Sequence, residues 1–488
     1  MLEQITCPAD LRRLSHDDLG LLSHEIRNFI VETVQENGGH LGSNLGVVEL
    51  TIALHRVFDS PRDIMLWDTG HQAYVHKMLT GRLENFKSLR KAGGLSGYPS
   101  RAESEHDWIE NSHASTALSY AFGIATAQAS DEGEGRRVLA VIGDGALTGG
   151  MAFEGLNNLG HAGSNAIIIL NDNGRSYAPT VSLLSDSLKK LRNNPKYLEQ
   201  QEKLENKVKS LLPSKEVMGL SVERAIDAAK AAVREIWDPT SFFEDLGLRY
   251  NGPFDGHNIE ALEKAFRNAA GFEGPTVIHV LTEKGRGYGP AENDPIKRLH
   301  DIGKPKPESY TAAFTEILIK EAENRSDLVA ITAAMPDSTG LLPFSERFPE
   351  RFFDVGIAEQ HATTAAAGMA MGGLRPVIAV YATFLNRAFD QINFDVALHN
   401  QPVIFCIDRA GITGPDGASH HGLLDMMLLS KVPGMTMFAP SSYQELQQMF
   451  SDALEITDGP IAIRYPRTPA PSVDEAEVGK GIRARHVS

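Results

Sequence analysis

The sequence has few of the features that mark secreted, membrane-spanning or nucleic-acid-binding proteins. Its only cysteines, Cys7 and Cys406, are too few and too scattered for a disulfide framework or a cysteine metal site. No apolar run approaches membrane-spanning length, and residues 1–21 carry charges throughout, without the apolar core of a signal peptide. A formal net charge of −16 argues against a general nucleic-acid binder, because phosphate backbones demand clustered cations. We therefore expect a cytoplasmic protein that binds neither membrane nor nucleic acid.

The length and composition are those of a large globular enzyme. A chain of 488 residues provides for two or three domains, each large enough for its own core. The hydrophobic fraction of 42% and the charged fraction of 23% are ordinary globular values. An acidic chain can still bind a small phosphorylated ligand, since a few arginines, lysines or helix N-termini suffice.

The most informative segment is Gly-Asp-Gly-Ala at residues 143–146, which closes an apolar run over residues 138–142. A second apolar run, over residues 166–170, leads into Asn-Asp-Asn, and a helical stretch separates the two runs, which predicts strand–helix–strand. Strands joined in this way end at the same sheet edge, where open α/β folds bind ligands. Gly-Asp-Gly after a strand is usually only a turn. The paired oxygen ligands of Asp144 and Asn173 nevertheless favour a site for Mg²⁺ or Ca²⁺ beside a phosphate.

This pair of strand ends resembles the signature of thiamine diphosphate enzymes, in which an Asp and a later Asn hold Mg²⁺ against the diphosphate. The resemblance implies that Asp144, Asn173 and the backbone carbonyl of Arg175 are the metal ligands. It also implies cofactor contacts from the glycine-rich turn, at Gly143, Asp144, Gly145 and Ala146.

The first half of the chain, residues 1–305, reads as one α/β domain that binds the diphosphate. It contains the strand–helix–strand unit, and a Lys- and Glu-rich stretch over residues 189–237 predicts solvated helices. A strand is predicted over residues 276–281, and the proline- and lysine-containing residues 302–308 read as a linker.

The second half, residues 306–475, reads as another α/β domain, which would bind the pyrimidine. Its buried-strand runs, at residues 328–331, 377–380 and 403–407, are separated by glycine- and alanine-rich helical segments. The predicted fold class is therefore α/β, with two doubly wound parallel-sheet domains that could bind a ligand between them. The resemblance implies that this ligand is thiamine diphosphate.

Glu359 opens an alanine-rich helical segment and is followed by Gln360. An acidic residue at this position is often only a partner for the helix dipole, stabilising by about 0.3–1 kcal/mol. The Ala-Glu-Gln segment, however, resembles the catalytic glutamate motif of the transketolase-like branch, which implies a carboxyl group against the aminopyrimidine ring. By the same resemblance Phe384 stacks on the pyrimidine, although periodicity alone would favour a core phenylalanine.

Several longer segments resemble the 1-deoxy-D-xylulose-5-phosphate synthase family: GGHLGSNLG at residues 38–46, WDTGHQAY at 67–74, DRAG at 408–411, GPDGASHHG at 414–422 and RYPR at 464–467. The likeness runs nearly end to end. In that family pyruvate is decarboxylated and the two-carbon unit is joined to D-glyceraldehyde 3-phosphate, which yields a precursor of isoprenoids, thiamine and pyridoxal phosphate. The resemblance also implies a homodimer.

The resemblance assigns roles to further residues. Imidazoles titrate in the range that suits proton transfer at carbonyl oxygens, and the catalytic residues are expected to be His40, His71, His300, His420 and Glu359. Cofactor contacts are expected from His71, Ser112, His113, Ala114, Lys284, Tyr288, Glu359, Phe384 and Arg387. Substrate contacts are expected from His40, Tyr381, Arg409, Asp416, His420 and Arg464, with the two arginines gripping the phosphate in bidentate fashion.

The chain departs from the family pattern in two places. Ser-His-Ala-Ser-Thr at residues 112–116 stands where many members have Gly-His-Ser-Ser-Thr. Residues 476–488 are expected to be the start of a C-terminal α/β domain that the sequence lacks. Two alternatives stay open: a transketolase that acts on ketose phosphates, and a catalytically impaired fragment that only binds cofactor.

Overall fold

The structure is a computed structural model, which describes residues 1–110, 112–130, 135–176, 180, 216–217, 220–221, 241–295, 297–300, 308–474, 476 and 478. The predicted charged helices of residues 189–237 lie outside the described residues, apart from the two-residue strands Glu216–Val217 and Leu220–Ser221. The linker and the last residues of the chain also lie largely outside them.

The first half forms a five-stranded sheet in which every neighbouring pair is parallel. Its strands, in the spatial order β1-β2-β3-β5-β4, are β1 (Ile64–Trp67), β2 (Val138–Gly143), β3 (Ala166–Asp172), β4 (Arg249–Asp255) and β5 (Thr276–Leu281). Side chains alternate between two apolar layers: Ile64 and Leu66 pack into one, and Met65 and Trp67 into the other. Because both faces are covered, β1, β2 and the first five residues of β3 form continuous apolar runs.

The helices of the first half cover both faces of this sheet. They are α1 (Pro8–Leu11), α2 (His16–Asn37), α3 (Gly42–Gly46), α4 (Val48–Val57), α5 (Tyr74–Lys77), α6 (Ala117–Ser130), α7 (Gly150–Ala162), α8 (Ser241–Asp245), α9 (Ile259–Ala270) and α10 (Gly289–Glu292). The long helix α2 begins at a capping box, in which the Ser15 hydroxyl accepts the Asp18 N–H at 3.2 Å. The predicted strand–helix–strand unit is present as β2, α7 and β3.

The second half forms a six-stranded, all-parallel sheet. Its strands, in the order β10-β11-β9-β8-β6-β7, are β6 (Leu328–Thr332), β7 (Phe352–Asp354), β8 (Arg375–Tyr381), β9 (Ile404–Asp408), β10 (Thr436–Phe438) and β11 (Ile461–Arg464). Its helices are α11 (Tyr310–Asn324), α12 (Leu342–Arg347), α13 (Glu359–Met371), α14 (Ala382–Leu385), α15 (Phe389–Gln391), α16 (Asp425–Leu429) and α17 (Tyr443–Leu454).

Apolar clusters lie on both faces of the second sheet as well. Val377 and Ala379 belong to one cluster, and Ile378 and Val380 to the other. Both sheets are thus parallel and covered on both sides, and the predicted α/β class is confirmed. Within the described ranges, every helix is too short or too polar to cross a membrane.

Candidate active site

The carboxyl edges of the two sheets open onto one cavity with about 940 Å³ of empty space, counting its open mouth. The first sheet contributes segments that follow β1, β2, β3 and β5, and the second contributes segments that follow β6, β7, β8 and β9. The sequence-predicted residues that line it are His40, His71, Ser112, Ala114, Gly143, Asp144, Gly145, Ala146, Asn173, Arg175, Lys284, His300, Glu359, Phe384, Arg387 and His420. Parallel sheets place ligand sites at this edge.

Asp144 and Asn173, which follow neighbouring strands, are joined directly. The Asn173 N–H lies 3.4 Å from Oδ1 of Asp144, and the Asp144 N–H donates to the carbonyl of Asn171 at 3.2 Å. Oδ1 of Asn173 accepts the Arg175 N–H at 3.1 Å, and Oδ2 of Asp144 accepts the Thr180 hydroxyl at 2.7 Å. A carboxylate and an amide oxygen, both hard donors, are therefore held together at the end of the cavity.

Gly145 lets the turn after β2 approach the turn after β3. A Cβ placed on Gly145 would lie 2.9 Å from Cβ of Ser176, which real contacts essentially never show. The residues of this turn, 143–146, line the cavity.

Lys284 and His300 lie on the neighbouring wall, after β5. The Lys284 ammonium is buried, donates to the carbonyl of Ser176 and lies 2.9 Å from Nδ1 of His300. The same imidazole nitrogen lies 3.4 Å from the Ser43 hydroxyl. This wall therefore carries a positive charge beside the Asp144–Asn173 turn.

Glycine at position 42 brings the His40 loop against the segment that carries His300. The Gly42 N–H donates to the carbonyl of Leu299 at 2.8 Å. A Cβ on Gly42 would lie 2.1 Å from the carbonyl oxygen of Arg298. Because backbone occupies that space, the close approach requires glycine.

Three histidines form a cluster on this wall. The ring centroids of His40 and His71 are 5.2 Å apart, those of His40 and His300 are 5.3 Å apart, and those of His71 and His300 are 5.1 Å apart. Burial lowers the pKa of His71 to about 4 and holds the pKa values of His40 and His300 well below their ordinary value. The imidazoles are therefore neutral near pH 7, and Nδ1 of His40 is a buried atom without a hydrogen-bond partner.

His420 faces this cluster from the second half. Its ring stacks on Tyr98, with centroids 5.3 Å apart and an angle of 18° between the planes. Burial lowers the pKa of His420 to about 4, although the negative charge of Asp416 opposes the shift. A fourth neutral imidazole thus borders the cavity.

Glu359 is the first residue of α13 and is almost fully buried. Burial raises the pKa of its carboxyl group above the ordinary value, and the positive charge of Arg387 opposes that rise. Arg387 also donates to the carbonyl of Ala114, so it ties the segment after β8 to the first half. The cavity therefore holds a carboxyl group that takes up a proton more readily than an exposed glutamate does.

Phe384 lies among other rings at the cavity wall. Tyr381 stacks on it with centroids 5.5 Å apart, and His113 meets it edge-on at 4.9 Å. His113 reaches across from the first half, and its Nε2 lies 3.0 Å from the Thr383 hydroxyl and 3.1 Å from the carbonyl of Ser419. These contacts fix the aromatic wall to both halves of the chain.

Some sequence-predicted residues do not border the cavity: His113, Tyr288, Tyr381, Arg409, Asp416 and Arg464. The Tyr288 hydroxyl instead accepts from the Gln35 side chain at 2.8 Å. Tyr381 and His113 instead support Phe384.

The predicted phosphate-binding and hydroxyl-binding residues lie in ion pairs. Arg409 bonds to Asp408 at 2.8 Å and stacks over the Tyr381 ring, with 4.1 Å from its guanidinium carbon to the ring centroid. Arg464 bonds to Asp425 at 2.7 Å. Asp416 bridges the halves, because it pairs with Arg90 at 2.7 Å and with Arg467, and both arginines lower its pKa.

The cavity also contains residues that we did not predict: Ser43, Asp68, Thr69, Gln72, Tyr98, Asn171, Ser176, Ala333, Ala334, Met335 and Ile357. Ser43, Asp68, Thr69 and Gln72 belong to the family-like segments at residues 38–46 and 67–74, so their motifs already indicated them. Residues 333–335 follow a predicted strand, where ligand-binding loops are expected. Tyr98 lies in an irregular loop whose sequence carries no periodic signal.

No cluster of three or more His, Cys, Asp or Glu side chains suited to a metal occurs in the part of the chain that the structure describes. The predicted Mg²⁺ site uses one carboxylate, one amide and one backbone carbonyl, and it stays a prediction.

Family models and known proteins were compared with the chain. A model described as 1-deoxy-D-xylulose-5-phosphate synthase matches residues 2–282, and a model of the transketolase pyrimidine binding domain matches residues 306–472. Curated 1-deoxy-D-xylulose-5-phosphate synthases from Mycobacterium avium and Mycobacterium leprae are each 54% identical over 477 residues, which is 96% of this chain and 74% of each relative. A transketolase structure from Campylobacter jejuni covers 95% of the chain at 18% identity, with a TM-score of 0.42. The chain belongs to the 1-deoxy-D-xylulose-5-phosphate synthase family.

Proposed function

We propose that the protein is a thiamine diphosphate-dependent transferase that decarboxylates pyruvate and condenses the two-carbon unit with D-glyceraldehyde 3-phosphate. The products would be CO₂ and 1-deoxy-D-xylulose 5-phosphate, a precursor of isoprenoids, thiamine and pyridoxal phosphate. One observation carries the proposal: Asp144 and Asn173 from one sheet border the same cavity as Glu359 and Phe384 from the other. The name and identity of the curated relatives support the substrates.

The residues of the cavity fit thiamine diphosphate. The Ser112 hydroxyl is buried without a hydrogen-bond partner, and Glu359 is a buried carboxyl group beside an aromatic wall. We propose that Glu359 and Phe384 hold the aminopyrimidine and that Lys284 and the backbone of residues 143–146 hold the diphosphate. When bound, the cofactor supplies a thiazolium carbon that adds to a carbonyl and accepts the electron pair left by CO₂.

We propose Mg²⁺ as the cation of this site, with Asp144, Asn173 and the carbonyl of Arg175 as its protein ligands. Mg²⁺ prefers a few oxygen ligands from the protein and completes its shell with phosphate and water. The hydrogen bonds that already join Asp144, Asn173 and Arg175 support this grouping.

The neutral histidines would move protons at the substrate oxygens. An imidazole with a lowered pKa is mostly unprotonated near pH 7, so it can accept a proton and return it in a later step. His40, His71, His300 and His420, which all border the cavity, would serve the oxygens of the two substrates. The unpartnered Nδ1 of His40 supports a role toward a ligand.

Arg409, Arg464 and Asp416 are proposed to bind the aldehyde phosphate and its hydroxyl group. Each arginine is paired with a carboxylate, so a phosphate would have to share or displace Asp408 or Asp425. Such an exchange favours a dianion over a monoanion, because only the higher charge competes with a buried carboxylate.

We propose two domains, residues 1–305 and 306–475. The two sheets fall inside these bounds. We also propose a cytoplasmic homodimer. Exposed apolar side chains at Ile412, Leu423, Leu424, Met426 and Met427 support a partner surface on the second half.

The test is calorimetric titration with thiamine diphosphate and Mg²⁺, followed by a pyruvate-plus-aldehyde assay that traps labelled CO₂. The proposal predicts saturable binding and release of CO₂ that depends on D-glyceraldehyde 3-phosphate. Consumption of a ketose phosphate without use of pyruvate would establish a transketolase instead. Binding without any turnover would establish a fragment that only holds cofactor.

A further inference from the structure

A buried chain of hydrogen bonds lies behind the Asp144–Asn173 turn. The Tyr250 hydroxyl, from β4, lies 2.6 Å from Nδ1 of His279 in β5, and Nε2 of His279 lies 3.0 Å from Oδ2 of Asp172, the last residue of β3. These side chains have almost no exposed surface, and none of the three borders the cavity. This series of hydrogen bonds therefore crosses three adjacent strands of the first sheet.

Asp172, at the end of this series of hydrogen bonds, also contacts the turn that carries the proposed metal ligands. Oδ1 of Asp172 accepts the Gly174 N–H at 3.1 Å, and Gly174 has a positive φ of 72°. Asn173 lies between these two residues, and Arg175 follows them. Holding the Gly174 N–H therefore fixes the direction in which Asn173 and the Arg175 carbonyl leave the strand.

The chemistry of these three side chains determines where the protons lie in their hydrogen bonds. A carboxylate only accepts hydrogen bonds, so Nε2 of His279 carries a proton toward Asp172. Nδ1 is then the acceptor for the Tyr250 hydroxyl. Both ring nitrogens and one oxygen of Asp172 are thus satisfied inside the protein, as burial requires.

The neighbouring strand is shaped around His279. The register of β4 against β5 shifts between Asn251 and Phe254. A Cβ on Gly252 would lie 2.5 Å from the carbonyl oxygen of His279 and 3.0 Å from its Cβ. The bulge and the glycine together let β4 pass His279 closely while Tyr250 reaches its ring.

We infer that Tyr250, His279 and Asp172 are positioning residues that preset the turn for the metal and the diphosphate. This inference rests on the proposed cofactor site, and it concerns residues that do not touch the cofactor. Groups of this kind, behind metal ligands, typically change metal affinity about 10–100-fold when they are removed.

The test compares His279→Leu with His279→Gln by calorimetry. The Kd of Mg²⁺ is measured at saturating thiamine diphosphate, the Kd of thiamine diphosphate at saturating Mg²⁺, and the Tm without either. Leucine removes both ring nitrogens, so we expect both Kd values to rise about 10–100-fold. Glutamine offers an amide N–H at the place of Nε2, so we expect it to restore most of the affinity.

His55→Leu is the matched control. His55 is equally buried in the same half, its Nε2 lies 2.9 Å from Nδ1 of His76, and neither histidine borders the cavity. We expect its Tm to fall while both Kd values stay those of the wild type. A His279→Leu protein with a lowered Tm and wild-type Kd values would show a purely structural role and overturn the inference.

Tyr250→Phe keeps the inference testable if His279→Leu does not fold. It removes a single hydroxyl, and its control is Tyr465→Phe, which removes a buried hydroxyl without a hydrogen-bond partner. We expect a several-fold rise in Kd for Tyr250→Phe only, and equal Kd values for the two variants would overturn the inference. If the wild-type protein bound neither Mg²⁺ nor thiamine diphosphate, that result would instead refute the proposed function.

Discussion

Arg387 is the charge that opposes the effect of burial on Glu359. The carboxyl group opens α13, whereas the guanidinium follows β8 and also donates to the carbonyl of Ala114. Burial raises the pKa of Glu359, and Arg387 lowers it. The proton affinity of this carboxyl group is therefore set by the balance between its burial and the nearby positive charge.

Glu359→Gln is predicted to abolish most of the turnover and to spare cofactor binding. The amide keeps the size of the side chain but cannot exchange a proton, and acid–base groups contribute about 10²–10⁴-fold to rate. We expect CO₂ release to fall at least about 100-fold while the Kd of thiamine diphosphate changes less than about tenfold. Wild-type turnover in this variant would refute the assigned role.

Stability is predicted to fall as the medium becomes acidic, in a window set by the buried histidines. Burial lowers the pKa of His71 from 6.5 to about 4 in the folded state. Between these two pKa values the imidazole of His71 is protonated in the unfolded state but not in the folded state. The free energy of unfolding that is present above pH 6.5 is therefore lost as the pH falls toward 4. At 1.36 kcal/mol per pKa unit, this imidazole accounts for on the order of 3 kcal/mol.

The measurement is urea unfolding of the apoprotein at pH 7 and at pH 5. His71→Gln replaces the imidazole by a side chain that does not titrate, so we expect a smaller loss between these pH values. His361→Gln is the control, because His361 lies exposed on α13. An identical pH dependence in His71→Gln and the wild type would contradict the prediction.

The sequence predicted most of the fold because both sheets are buried on both faces. Residues 138–142 and 166–170 are continuous apolar runs, which only a parallel, doubly covered sheet accommodates well, and they became β2 and β3. A helix was also predicted between them, from its apolar spacing, and it is present as Gly150–Ala162.

The site was predictable where a strand end carries a polar side chain, and less so elsewhere. Asp144 and Asn173 follow neighbouring strands, so sheet topology alone brings them together. Tyr98 borders the cavity because its loop packs against His420, a contact between distant segments that no local pattern encodes. The ion pair of Arg464 with Asp425 is equally non-local, because it joins the last residue of β11 to the first residue of α16.

Gly42→Ala is predicted to damage the wall that carries His300. The new Cβ would lie 2.1 Å from the carbonyl oxygen of Arg298, so the backbone must move and the His40 loop with it. We expect a lower Tm and weaker pyruvate use. Gly123→Ala is the control, because nothing lies within 4 Å of its Cβ in α6, and alanine favours a helix interior by about 1 kcal/mol over glycine.

The measurements for this pair are Tm by thermal unfolding and kcat/KM for pyruvate. A Gly42→Ala protein as stable and active as the Gly123→Ala protein would contradict the prediction. It would mean that the backbone at residue 298 moves aside without loss of stability or activity.

Substitutions of Glu359 and Arg387 are predicted to have non-additive effects on the free energy of unfolding. This prediction can be tested without measuring turnover. A buried carboxylate costs folding free energy, and the nearby guanidinium offsets part of that cost. Glu359→Gln should therefore raise the free energy of unfolding of the apoprotein by a larger amount in an Arg387→Gln background than in the wild type. A double-mutant cycle in urea at pH 8 measures the difference, which we expect at about 0.5–3 kcal/mol. The same cycle at pH 4 should give a smaller value, because protonated Glu359 gains little from a neighbouring positive charge. A coupling of zero at pH 8 would show that the guanidinium serves only the carbonyl of Ala114.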